Sequence, residues 1–181
     1  MYPSPSWLNV AYALVFGLPV YLCNTAAHLL GGGKTPVDLG KTLKDGRRLF
    51  GHNKTWKGII WGIVVGTITG VLLWYLMDEK LGIFVNYPWY VGFFMSIGDH
   101  TADLLGSFIK RRIDIKPGGS LILYDQGSWM VIGLLFAWPF LLPTPWFYFI
   151  ILITLTPLIH FISNILGYWL KLKKEFEGYY Y

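Results

Sequence analysis

Two aspartates, Asp99 and Asp103, stand four residues apart in a stretch otherwise apolar enough to lie within a membrane. On a helix that spacing puts both carboxylates on one face, where they repel unless something holds them. Counting from Pro88 at about 1.5 Å per residue places Asp99 roughly 15 Å deep, near the bilayer centre, with Asp103 one turn closer to the next loop. A charge at that depth costs at least about 2.5–3.5 kcal/mol, so intramembrane acids face a polar cavity and have a partner. Three partners suit them: a proton, a basic side chain such as Lys110 or Arg111, or a divalent cation. The next loop adds a third carboxylate, Asp125, on the same side. Two or three hard oxygen ligands suit Mg²⁺ held together with substrate phosphates. A proton-coupled transporter using Asp99 and Asp103, or a structural ion pair, competes with that reading.

The loop between these acids carries anion-binding chemistry. Lys110, Arg111, Arg112 and Lys116 are followed by Pro117-Gly118-Gly119-Ser120, a turn whose backbone N–H groups can face an anion. Cations beside buried acids are what phosphoryl or nucleotidyl transfer demands. A second basic loop, 31–57, holds Lys34, Lys41, Lys44, Arg47, Arg48, Lys54 and Lys57, interspersed with Thr35, Asp38, Asp45, Asn53 and Thr55. Gly31 to Thr35 resembles the end of a P-loop. It lacks the leading glycine, since His28 stands there, and it follows an apolar helix where a strand is required. The four histidines have no metal-ligand spacing; His100 points about 100° away from Asp99 on an ideal helix. His160 and Asn164 read as interhelical hydrogen-bonders, and the single Cys23 as a small core residue.

The elements that must position these groups are membrane helices. Hydrophobic residues make up 54% of the 181 and charged ones 14%, against roughly a quarter charged in soluble domains. The apolar residues form unbroken blocks, which predicts an all-α, polytopic integral membrane protein of about five transmembrane helices. Those blocks lie near Trp7–Leu30, Gly58–Met77, Pro88–Ile109, Gly127–Leu142 and Trp146–Leu170, with kinks expected at Pro139 and Pro157. Lys and Arg divide fourteen to one between the two sides: seven in 31–57, four in 110–126 and three in the tail (Lys171, Lys173, Lys174) against Lys80. The N-terminus is therefore expected outside and the C-terminus cytoplasmic. Residues 1–181 read as one transmembrane domain in the cell membrane, its active site built from loops 31–57 and 110–126 and facing the cytoplasm. Gly58, Gly62, Gly66 and Gly70, spaced by four, predict a close helix approach. A net charge of +5 does not imply nucleic acid, because no soluble domain displays a groove reader. The N-terminus lacks the basic start of a signal peptide and reads as a retained first helix.

From Asp99 to Gln126 the pattern Asp-x-x-x-Asp-Leu-x-x-Ser-Phe-x-Lys-Arg-Arg-x-x-x-Lys-Pro-Gly…Asp-Gln resembles the signature of the CDP-diglyceride synthases (phosphatidate cytidylyltransferases). Ser107, Lys110, Arg111, Lys116, Pro117, Gly118 and Asp125 match it, while Gln126 replaces an arginine and Ser128 an acid. The small size and the loop Asp45-Gly46-Arg47-Arg48 … Gly51-His52-Asn53-Lys54-Thr55-Trp56-Lys57-Gly58 are similar to the archaeal branch, the CDP-archaeol synthases. That resemblance implies Mg²⁺-dependent transfer of CMP from CTP to an unsaturated isoprenoid ether-lipid phosphate, 2,3-bis-(geranylgeranyl)-glycerol 1-phosphate, within membrane lipids, releasing pyrophosphate. It implies metal binding by Asp99, Asp103 and Asp125, and CTP or phosphate binding by Asn53, Lys54, Lys57, Ser107, Lys110, Arg111, Lys116 and Gly118. A CDP-alcohol phosphotransferase is the enzymatic alternative, but its pattern is absent: Arg47-Arg48-Leu49-Phe50 follows Asp45-Gly46.

Overall fold

The computed structural model describes residues 7–84, 87–116, 119–142 and 144–169. The regular elements among them are helical, and extended pairing is limited to two isolated bridges, Pro36 with Thr55 and Thr42 with Arg48. In order they are α1 (Trp7–Phe16), α2 (Leu18–Leu30), α3 (Trp56–Leu73), α4 (Val91–Arg112), α5 (Ile122–Asp125), α6 (Ser128–Ala137) and α7 (Trp146–Trp169). A π-helical stretch, Trp74–Lys80, continues α3, and a 3₁₀ turn, Trp138–Phe140, ends α6. Among the described residues two helices are long and apolar enough to cross a membrane, Trp56–Lys80 and Trp146–Ser163, and three if α1 and α2 form one bent span. The chain is a helical, multi-pass membrane protein.

The single helix expected over Trp7–Leu30 is broken at Gly17, where α1 and α2 meet at a 46° bend. Pro19 is the cause: it has no N–H for the carbonyl four residues back, and its ring crowds that carbonyl. A Cβ on Gly17 would come within 2.6 Å of Leu152 Cδ2, so α7 packs directly on the break. Pro139 falls in the 3₁₀ turn, while α7 continues through Pro157.

Glycines set how closely the helices around the site approach. All four glycines of the α3 stripe are buried. A Cβ on Gly70 would lie 2.6 Å from Gly92 Cα of α4, and one on Gly62 would lie 3.1 Å from the Cys23 carbonyl of α2. On the other side of α4, Gly98 meets Gly133 of α6, where a Cβ would be 2.7 Å from its Cα. Helix backbones thus touch on both flanks of α4, as small residues allow in membranes. Phe16 fixes the end of the bundle remote from the basic loops, with ring centroids of Phe84, Tyr87, Tyr148 and Phe149 at 5.5, 5.3, 5.8 and 6.2 Å.

Candidate active site

Loop 31–55 is folded around one carboxylate. Asp38, 3% exposed, accepts hydrogen bonds from the backbone N–H of Gly40 (3.0 Å), Phe50 (3.1 Å) and Gly51 (2.9 Å), and pairs with the Arg48 guanidinium. Burial alone would raise its pKa. The Arg48 contact and the three backbone donors outweigh that and hold the carboxyl down at about 2. Glycines at φ +81° (Gly40) and +110° (Gly51) let the backbone turn in to supply two of those donors. Thr55 closes the loop by N-capping α3, its Oγ1 accepting from Gly58 N at 3.2 Å.

The same loop is tied to the end of α4. Arg47 Nη1 donates to the carbonyls of Arg111 (3.2 Å) and Arg112 (2.8 Å), which the helix itself leaves without partners. Arg112 returns the contact, donating to the Arg48 carbonyl at 2.6 Å and pairing with Asp45 at 3.4 Å. Arg47 also pairs with Asp114 at 3.2 Å.

Between this docked loop and the helices lies a cavity of about 660 Å³, of the size small-molecule sites usually have. Asn53, Lys54, Asp99, Asp103, Ser107, Lys110, Arg111 and Asp125 all line it, so three carboxylates and three cations from distant segments converge. Lys54 Nζ donates to Asp103 Oδ1 at 2.5 Å, and Lys110 Nζ to Asp125 Oδ2 at 2.7 Å. Asp125 Oδ2 also accepts from Leu121 N (2.8 Å) and Ser120 Oγ (3.2 Å), which fixes its orientation. Arg111 is 9% exposed and its Nε has no hydrogen-bond partner among the described residues. A buried guanidinium that lines a polar cavity suits an anion.

Asp99 sits deepest, fully buried. Asn24 Nδ2 donates to its Oδ1 at 3.3 Å and the Cys23 thiol to its Oδ2 at 3.3 Å. The carboxylates offer the hard oxygen donors Mg²⁺ prefers, in a cavity that also holds cations for phosphates, so their chemistry suits that ion, but Asp103 and Asp125 are each paired with a lysine and the three do not stand within 4.8 Å of one another.

Other placements differ from expectation. The basic partner of Asp103 is Lys54, across from the other loop, and Lys110 serves Asp125. Lys57 lines a separate recess of about 350 Å³ with Trp56, Ile60 and Trp61. Lys116 is not among the residues lining the main cavity. Gly118, with Pro117, lies outside the described residues, as do the tail cations Lys171, Lys173 and Lys174.

Several site residues escaped sequence reasoning. Cys23 is the buried core residue expected, and its thiol also touches Asp99. His100 Nδ1 lies 3.6 Å from Asp99 Oδ2, although the two positions point apart on an ideal helix. All four histidines line the cavity. Asn24 had a usable signal: a polar side chain in the middle of an apolar span.

Comparison with known proteins agrees with this architecture. The family model described as CarS-like, CDP-archaeol synthase, matches residues 8–176. A CDP-archaeol synthase from Pyrococcus furiosus is 40% identical over 157 residues, covering 86% of this chain and 91% of that one. One from Methanocaldococcus jannaschii is 38% identical over 175 residues, covering 90% and 97%. A solved structure of an intramembrane enzyme for archaeal membrane lipid biosynthesis superimposes with a TM-score of 0.71 at 29% identity, over 86% of this chain and 94% of that one. A match that runs from α1 to beyond α7, with relatives spanned almost end to end, leaves no part of the described fold outside it: the chain belongs to the CDP-archaeol synthase family.

Proposed function

We propose that the chain transfers CMP from CTP to an archaeal isoprenoid ether-lipid phosphate, 2,3-bis-(geranylgeranyl)-glycerol 1-phosphate, and releases pyrophosphate. Beyond family membership, the observation that carries this reading is one cavity in which Lys54, Lys110 and the under-used Arg111 face Asp99, Asp103 and Asp125. The lipid phosphate is already ionised near neutral pH, so its oxygen attacks without a general base. That oxygen forms the bond to the α-phosphorus of CTP. The bond from the α-phosphorus to the bridging oxygen of the β-phosphate breaks, and pyrophosphate leaves with that electron pair. What the protein supplies is placement and charge neutralisation.

Lys54 and Lys110 hold carboxylates in the structure described; with triphosphate present they turn to phosphate oxygens, and Arg111 adds a fixed donor. Asn53 and Ser107 complete the polar wall of the cavity. Asp99, Asp103 and Asp125 are the residues that would hold Mg²⁺, which when bound neutralises phosphate charge on the reacting nucleotide. The remaining assignment is topological. The chain makes about five spans as one transmembrane domain, N-terminus outside, with loops 31–57 and 110–126 and the active site on the cytoplasmic side, supported by the fourteen-to-one division of Lys and Arg.

The deciding experiment gives detergent-purified protein CTP, Mg²⁺ and either the ether-lipid phosphate or phosphatidic acid, and follows pyrophosphate. Release that needs both Mg²⁺ and the ether lipid is the expected result. Folded protein that releases none with either lipid refutes the assignment.

A further inference from the structure

The floor of the cavity holds a second kind of donor set. Cys23 Sγ lies 3.3 Å from Asp99 Oδ2 and 3.5 Å from His100 Nε2, and His100 Nδ1 lies 3.6 Å from Asp99 Oδ2. Among the described residues this is the one group of three His, Cys, Asp or Glu whose ligand atoms lie within 4.8 Å of one another, and all three residues are buried. A tetrahedral Zn²⁺ with bonds of about 2.3 Å to sulfur and about 2.1 Å to nitrogen and oxygen separates its ligand atoms by about 3.4–3.6 Å. With one imidazole nitrogen as ligand the three donors lie within 4.8 Å of one another: the thiol–carboxylate spacing already matches such an ion, and the imidazole, whose Nε2 faces the thiol and Nδ1 the carboxylate, completes the set by turning one nitrogen toward both.

The imidazole lies across the thiol and the carboxylate, seated against Gly62, where a Cβ would come within 2.7 Å of His100 Cε1. Asp99 and His100 both reach the cavity, which gives an ion a way in and leaves room for water as a fourth ligand. Thiolate and imidazole are poor ligands for Mg²⁺ and good ones for borderline or soft ions. The donor set is thus distinct in chemistry from the all-oxygen set of Asp99, Asp103 and Asp125, yet the two share one residue.

We propose that Cys23, Asp99 and His100 form a thiolate–carboxylate–imidazole site for a borderline or soft divalent cation such as Zn²⁺, and that filling it inhibits the enzyme by withdrawing Asp99. On binding, a metal–sulfur bond forms and the thiol proton leaves to water through the cavity. The binding stands on the geometry alone; the inhibition rests on the cytidylyl-transfer reading.

Co²⁺ is the probe. Folded, detergent-purified full-length chain titrated with Co²⁺ is expected to show a thiolate-to-cobalt charge-transfer band saturating near one equivalent and abolished by added Zn²⁺. Cys23 is the sole cysteine, so the band has a single source and is absent from Cys23→Ala and from the near-isosteric Cys23→Ser. With Mg²⁺ in excess, Zn²⁺ inhibits pyrophosphate release by the unmodified chain. In whichever variant folds, relative to its own rate without Zn²⁺, half-inhibition moves up by more than about tenfold, since even losing an outer-shell partner costs a metal site 10–100-fold. Absence of the band in folded protein overturns the site, and Zn²⁺ inhibition unchanged in the variants overturns its role. A band with no turnover under any condition would instead refute the assigned reaction and leave the site standing.

Discussion

Replacing Asp38 with asparagine tests whether a carboxylate outside the cavity governs what happens inside it. Its two oxygens receive three backbone N–H groups and the Arg48 guanidinium. In Asp38→Asn one oxygen becomes an NH₂ that points a donor at donors, so at least one buried N–H loses its acceptor and the ionic contact to Arg48 disappears. Each such loss is worth about 1–3 kcal/mol, or about 2–6 kcal/mol together. The depressed pKa, which the same contacts cause, falls in that range: a drop from 3.8 to about 2 corresponds to roughly 2–3 kcal/mol at neutral pH. At a factor of ten per 1.4 kcal/mol, the open population of loop 31–55 rises by roughly 30-fold to about 20,000-fold. Hydrogen exchange in detergent reads this directly. Amides between residues 38 and 51 are expected to lose protection while α3 and α4 keep theirs, and pyrophosphate release should fall because Asn53 and Lys54 lose their seat. Loop amides exchanging at the unmodified rate in Asp38→Asn would refute the reasoning. The pH sign is also set. A carboxyl whose folded pKa lies below its ordinary value stabilises fully above pH about 4, and that contribution disappears as pH falls from about 4 toward 2. Loop protection attributable to Asp38 should therefore be flat from neutral pH down to about 4.

Three further outcomes follow from the same geometry. Asp103→Asn should lower pyrophosphate release at least about 100-fold, the usual scale for losing one electrostatic contact at a reacting centre, with monodisperse folded protein; a near-normal rate would remove Asp103 from the metal set. Gly70→Ala forces α3 and α4 apart, because its Cβ would sit 2.6 Å from Gly92 Cα; a cost of about 1–3 kcal/mol predicts a lower Tm in detergent, and an unchanged Tm contradicts the close approach. Arg47→Ala leaves the Arg111 and Arg112 carbonyls without their donor, so exchange should quicken in the last turn of α4 but not at Gly92 or Met95.

Much of this was legible in the sequence, because its signals are local. Apolar blocks located the helices, spacing by four located the glycine face of α3, and the unfavourable depth of Asp99 and Asp103 pointed to a polar cavity. Asp125 and Lys110 joined them because the loop between is short. Non-local geometry was hidden. Nothing in the spacing says that Lys54 reaches across to Asp103, since that depends on how loop 31–55 wraps around Asp38. His100 was misjudged by treating a side chain as a ray from the helix axis, whereas imidazole is long enough to lie back along its neighbour. Cys23 lay beside Asn24 in an otherwise apolar run, but only the contact of α2 with α4 shows what its thiol touches. The break at Gly17 was overlooked even though Pro19 announced it, because hydropathy averages over a turn that one missing N–H disrupts.

On α7, His160 and Phe161 line the cavity while Leu158, Ile162 and Leu166, within two turns of them, are exposed. The barrier between the polar interior and the surrounding bilayer is there a single helix thick. Under the proposed reaction, a phosphate headgroup passes beside that helix while its chains stay among neighbouring lipids. The two substrates then arrive from different phases, CTP from solution and the lipid from a sheet. Bulk molarity describes only the first. For the second, the rate responds to mole fraction in the leaflet, so diluting the membrane with inert lipid slows the enzyme even when the amount of substrate per litre is unchanged.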